Sequence, residues 1–107
     1  MRHTKLPVHR LHIDGVELGL RLGTLVAIER EVTDQIEWEI VAEGMEEYAG
    51  ELTRCHVEVL CITGTDPAGH LVLSELAGDA IVVRFTRRTV VLRGDGPLSG
   101  LSQHMFT

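Results

Sequence analysis

The segment from Leu52 to Leu92 constrains the fold most, because it contains successive apolar stretches separated by turn signals. In the first stretch, apolar and polar side chains alternate at every position. A period of two is typical of a β-strand with one face on a core and the other in solvent. We therefore predict a strand whose inward-facing residues are Cys55, Val57, Val59 and Cys61, and whose outward-facing residues are Arg54, His56 and Glu58.

The next residues predict two chain reversals. Between Thr65 and Gly69, Pro67 presets φ and the glycine can adopt positive φ, so this segment predicts a turn. Residues 70–76 then form a returning strand, and the sequence Ala-Gly-Asp at 77–79 predicts a second reversal before the following strand.

Another pair of strands is predicted at residues 80–86 and 89–93, with Arg87 and Arg88 at its tip. Arginine does not favour a two-residue primed turn, so we expect a longer or type I loop there. The runs Ile-Val-Val at 81–83 and Val-Val-Leu at 90–92 lack alternation. Such runs indicate strands covered on both faces, either centrally in a sheet or at a subunit contact.

Four other segments complete the prediction. Asp14-Gly15 between apolar strands is the strongest hairpin signal, because it fits the positive φ of a type I′ turn. A further turn is predicted at 32–35. Residues 43–52 have helical spacing, with Met45 and Leu52 at i and i+7, and predict one or two helical turns or a loop. The glycine-rich residues 93–100 predict a surface tail.

These elements predict an all-β fold. About eight short strands joined mostly by short turns make an antiparallel meander, which must close as a flattened barrel or fold into a small sandwich to protect its edges. At most one short helix is expected, near residues 43–52. A length of 107 residues fits a single domain spanning 1–107, with flexible ends.

Charge and composition exclude several classes of function. The net charge of −6 argues against a nucleic-acid-binding protein, and it has the wrong sign for anionic lipid. We expect no membrane segment and a cytoplasmic location. The charge is uneven: residues 29–51 carry nine acids and one base, whereas residues 80–107 carry four arginines and one acid. Opposed patches of this kind can pair across a subunit contact, although a solvated face near a charged hairpin also explains them.

Few residues suggest chemistry. Arg54, His56 and Glu58 form a polar row on one strand face and are the candidate ligand-binding residues, against the alternative of an ordinary solvated face. Cys55 and Cys61 lie about 20 Å apart on a straight strand, too far for a disulfide, so we expect buried reduced thiols. No catalytic residue, metal site or cofactor is predicted, because the spacings those sites require are missing.

Two functions remain open at this point. The first is a non-enzymatic β-module that acts by self-association, as a homo-oligomer, or by contact with a partner protein. It follows from the continuous apolar strands, the charge asymmetry and the lack of a catalytic motif. The second is a small-molecule-binding barrel or a minor enzyme that uses the polar row containing His56. A cavity with converging polar groups would favour the second.

Overall fold

The computed structural model describes residues 2–30 and 35–106. Strands occupy most of the described chain, as the sequence predicts. In chain order they are β1 (Arg2–Ile13), β2 (Val16–Leu18), β3 (Leu20–Glu29), β4 (Ile36–Gly44), β5 (Arg54–Thr65), β6 (Leu71–Thr86) and β7 (Thr89–Ser99), followed by one 3-10 turn at Gln103–Met105. The predicted turn at 32–35 lies largely outside the described residues, as do both chain ends.

Six of the strands close into an antiparallel barrel. The order around it is β1-β3-β4-β7-β6-β5, with β5 pairing back onto β1, and β2 adds a short pairing to β1. The predicted all-β fold is confirmed, with seven strands in place of about eight. Closure satisfies the strand edges that an open sheet of this length would leave exposed.

The chain departs from a plain meander at one connection. After β4 it crosses through residues 45–53 to begin β5 beside β1, and β7 takes the position next to β4. Of the two structures predicted for residues 43–52, helical turns or a loop, the loop is found: β4 continues to Gly44, and the connection that follows is irregular. Glycines at both ends of that short segment weaken any helix there.

The predicted reversal at 77–79 is wrong, and this accounts for the strand count. Strand β6 runs unbroken through Gly78, which stands opposite Val57 of β5 and Leu98 of β7. A Cβ at Gly78 would lie 2.7 Å from the Pro97 carbonyl oxygen of β7 and 3.0 Å from Cζ2 of Trp38. The glycine therefore leaves room for a neighbouring side chain in a strand interior and does not mark a turn.

The hairpin at Asp14-Gly15 is confirmed. Asp14 and Gly15 have φ values of 50° and 80°, and Ile13 pairs directly with Val16. Both central residues thus have the positive φ that a type I′ turn requires.

The loop expected between residues 86 and 89 is instead a two-residue turn, with Thr86 paired to Thr89. Arg87 has a φ of 49°, which is unfavourable for a side chain of this kind. Backbone contacts from the last residue of β4 and from the connection that follows it hold the turn in this conformation. The Gly44 N–H donates to the Arg88 carbonyl at 2.7 Å, and the Tyr48 N–H donates to the Arg87 carbonyl at 3.1 Å.

The glycine-rich tail is also corrected, since β7 continues to Ser99. Its second half pairs with β6, joining Gly78 to Leu98 and Ala77 to Ser99. Leu98 is buried in the core. Of the glycines that suggested a turn, Gly94 brings the strand close to Trp38.

Side chains fill the barrel interior, as expected of a barrel with few strands. Fully buried aliphatic residues come from six strands: Leu11, Leu25, Ile40, Val57, Leu76, Val82, Val90 and Leu92. Phe106 and Leu98 add to the same core near the end of the chain. A candidate binding surface therefore lies on the outside of the barrel.

Candidate functional site

The polar row of β5 faces outward, as predicted. Arg54, His56 and Glu58 are exposed, whereas Cys55 and Val57 between them are buried. The alternation of one strand therefore gave the orientation of every member of the row. It did not show which residues of other strands lie beside them.

Arg54 is separated from the other two residues. Its Nε atom lies 3.4 Å from Oδ2 of Asp95 on β7, in an exposed ion pair. His56 and Glu58 instead line a surface cleft of about 430 Å³, together with residues of β1 and β6 that include Arg10, His12 and Glu75. The structure thus brings together two of the three candidate residues.

His56 has a defined carboxylate partner. Its Nδ1 atom lies 2.9 Å from Oδ1 of Asp79, the residue opposite it on β6. Its backbone N–H donates to Oδ1 of Asp14 at 2.8 Å, which ties β5 to the first hairpin. A carboxylate on one ring nitrogen orients the other nitrogen toward solvent, the arrangement of a general base or a hydrogen-bonding contact for a ligand.

The structure also describes the histidine, acidic and cysteine side chains that metal or thiol chemistry would need. Among residues 2–30 and 35–106, no group of three or more histidine, cysteine or acidic side chains is placed to hold a metal ion. Cys55 and Cys61 are free and buried, as predicted. Burial raises the pKa of the Cys61 thiol to about 12, so this thiol stays protonated and is a poor nucleophile.

A larger cleft of about 840 Å³ lies where β4 and β7 separate. The two strands pair only from Glu39↔Arg93 to Glu43↔Thr89, so the start of β4 and the end of β7 diverge. Trp38 fills the gap, and its indole Nε1–H donates to the Gly96 carbonyl at 3.0 Å. The indole replaces the missing backbone ladder at this point of the barrel.

The paired part of β4 and β7 carries an apolar patch on its outer surface. We name this pairing the seam. The outer apolar side chains of the seam and of the flanking strands β3 and β6 form the seam patch: Leu22, Val26, Val41, Ile81, Val83 and Val91. Val41 and Val91 are direct partners at its centre, and 43% of Val41 is exposed. Leu22 is 66% exposed. Leu22, Val41 and Val83 are exposed, and Val26, Ile81 and Val91 are half-buried.

Charged groups gather at one end of the seam. The end of β6 presents Arg84, opposite Val91 of β7, and the turn that follows presents Arg87 and Arg88; we name these three residues the arginine tip. The connection after β4 presents Glu46, Glu47 and Glu51, which we name the acidic loop. The ring of Tyr48 in that connection packs edge-on against Phe85, with centroids 5.3 Å apart. The tip and the loop therefore lie side by side.

The arginine tip differs from the other arginines of the chain. All other arginines form ion pairs with a carboxylate: Arg2, Arg10, Arg21, Arg30, Arg54 and Arg93. In the described chain no carboxylate lies within 4.0 Å of the tip arginines, and no base lies that close to the acidic-loop glutamates. The uneven charge is visible in the sequence, but only the fold shows that the arginine tip and the acidic loop lie next to each other.

Comparison with known proteins identifies no relative. The chain matches no protein-family model, no curated protein and no solved structure. Within the described residues there is no helix with the length and apolar character that a membrane crossing would need.

Proposed function

We propose that this chain is a non-enzymatic β-barrel module that acts by self-association through the seam patch. The observation that carries the proposal is the outer side of the continuous apolar runs, where Val83 is exposed and Ile81 and Val91 are only half-buried. Ile81, Val83 and Val91 come from those runs, and their inward neighbours already fill the core. A second copy placed on the seam would cover them, and burial of such side chains drives protein association.

Two alternatives fit less well. Contact with a different partner protein would use the same patch, but a second copy needs no further component and isologous dimers are the commonest oligomers. Recognition of nucleic acid is disfavoured by the net charge of −6. A cytoplasmic location belongs to the proposal, and the two free cysteines, both buried, suit a reducing compartment.

Replacing Val91 with Glu tests the seam directly. The wild-type chain is expected to dimerise as its concentration is raised in light scattering. Val91→Glu should weaken that dimer at least about tenfold, because association would then desolvate a carboxylate in place of an apolar side chain, at a cost of more than about 1.4 kcal/mol. Val16→Glu is the matched control, since Val16 is 71% exposed on β2 and away from the seam. A wild-type chain that stays monomeric at high concentration and low salt would refute the proposal.

A second candidate function is supported by the His56–Asp79 pair in the smaller cleft. There the chain would bind a small polar ligand, or use His56 as a general base, with Glu58 beside it. The two functions use different faces of the barrel, so each is tested without the other.

His56→Ala tests this second candidate. We expect a stabilising metabolite, found by thermal-shift screening, to lose most of its effect on the variant, while the melting temperature without ligand changes little because His56 is exposed. His70→Ala is the matched control, because its Nδ1 also faces a carboxylate, that of Asp66 at 3.3 Å, outside the cleft. Identical ligand responses in the two variants would contradict a role for His56.

A further inference from the structure

We infer that two copies pair about a two-fold axis parallel to β4 and β7, so that the arginine tip of each copy contacts the acidic loop of the other. The inference deepens the proposed function and rests on it, because it specifies the symmetry and the charge contacts of that dimer. It starts from the unpaired charges at one end of the seam. Glu46, Glu47 and Glu51 lie on the β4 side. On the β7 side, Arg87 and Arg88 lie in the turn into β7, and Arg84 lies on the neighbouring strand β6.

Symmetry decides how these groups meet. A two-fold axis along the seam exchanges its two sides and keeps its two ends, so β4 of one copy lies over β7 of the other. The acidic loop then lies over the partner's arginine tip, twice in each dimer. An axis perpendicular to the strands would place β4 on β4 and exchange the two ends of the seam, so the acidic loop of one copy would lie away from the arginine tip of the other.

The centre of the seam agrees with the parallel axis. Val41 and Val91 are direct partners, so this axis places Val41 of each copy over Val91 of the other, apolar on apolar. One step along the seam, Glu39 and Arg93 form an exposed ion pair at 3.6 Å. In the dimer each of these groups would also face an opposite charge on the second copy.

The conformation of the tip supports a role for its charge. Arg87 has a φ of 49° in a two-residue turn where asparagine, aspartate or glycine is favoured. A side chain held at positive φ costs free energy relative to glycine. The backbone contacts from Gly44 and Tyr48 hold the turn in this shape, so the arginine side chains project from a fixed position beside the acidic loop.

A charge-swap experiment in the full chain tests the inference. One variant, Arg87→Glu with Arg88→Glu, makes both the tip and the loop acidic. The other, Glu46→Arg with Glu47→Arg, makes both basic. We expect each variant alone to dimerise at least tenfold more weakly than the wild type in light scattering at low salt. An equimolar mixture should recover the dimer as a heterodimer, and added salt should weaken it.

The outcomes separate this inference from the proposed function. Ala68→Glu, at the exposed turn between β5 and β6, is the matched control for a change of charge and should dimerise like the wild type. If the wild type dimerises but either swapped variant dimerises equally well, or the mixture stays monomeric, the symmetry inference is wrong and the seam proposal stands. If the wild type does not dimerise, both are wrong. Circular dichroism of each variant establishes that it is folded.

Discussion

Replacing Trp38 with Ala is expected to lower the free energy of unfolding by about 3–5 kcal/mol. The indole is 3% exposed and occupies the gap where β4 and β7 diverge, so truncation leaves a cavity between two strands. It also removes the Nε1–H donor to the Gly96 carbonyl. Domains of this size are stable by about 5–15 kcal/mol, so the loss is a large part of the total.

Guanidinium denaturation followed by far-ultraviolet circular dichroism measures this loss, because Trp38 is the only tryptophan and its fluorescence disappears in the variant. Trp38→Phe keeps a ring in the gap but not the N–H group, and should lose less, about 1–3 kcal/mol. Val16→Ala, on the exposed hairpin, is the control and should change stability by no more than about 0.5 kcal/mol. A Trp38→Ala loss below about 1 kcal/mol would show that the indole does not support the barrel.

Local pattern was enough for features decided by neighbouring residues. The alternation from Arg54 to Cys61 gave the inward and outward faces of β5, because the period of a strand is fixed by its backbone. Asp14-Gly15 gave the first hairpin, because few residues accept positive φ twice in succession. Both conclusions need no knowledge of the rest of the fold.

Features decided by distant residues were not predictable in the same way. The sequence Ala-Gly-Asp at 77–79 predicts a turn, but Gly78 lies inside β6. A side chain at this position would contact the backbone of β7 and the indole of Trp38 on β4. The sequence gives no signal that β4 pairs with β7, since the connection through residues 45–53 has no repeating pattern. Strand pairing of this kind depends on the packing of the whole barrel.

The candidate sites show the same difference between features decided by neighbouring residues and features decided by distant residues. The orientation of His56 and Glu58 followed from alternation, whereas the partners of the polar row, Asp14, Asp79 and Asp95, come from other strands. The charge asymmetry was visible in the sequence, but most of the acids on β4 are neutralised within the chain, as Glu43 is by Arg21. Only the fold shows which charges remain unpaired.

Replacing Gly94 with Ala is expected to lower the free energy of unfolding by about 1–3 kcal/mol, although alanine suits a strand better than glycine does. A Cβ at Gly94 would lie 2.6 Å from Cδ1 of Trp38 and still closer to Nε1 and Cε2, so the indole or the strand must shift. If this clash is the cause, Gly94→Ala should cost little in a Trp38→Leu background.

A double-mutant cycle in guanidinium measures that coupling, and the clash predicts that it accounts for most of the single-mutant loss. Gly64→Ala is the matched control, because Gly64 is an exposed β5 residue with nothing within 4 Å of a Cβ built there. That control should leave stability unchanged or raise it by up to about 1 kcal/mol, by restricting the unfolded chain. An equal loss for Gly94→Ala with and without the indole would mean that the glycine is required by its own backbone and not by Trp38. The close approach of β7 to Trp38 would then need another cause.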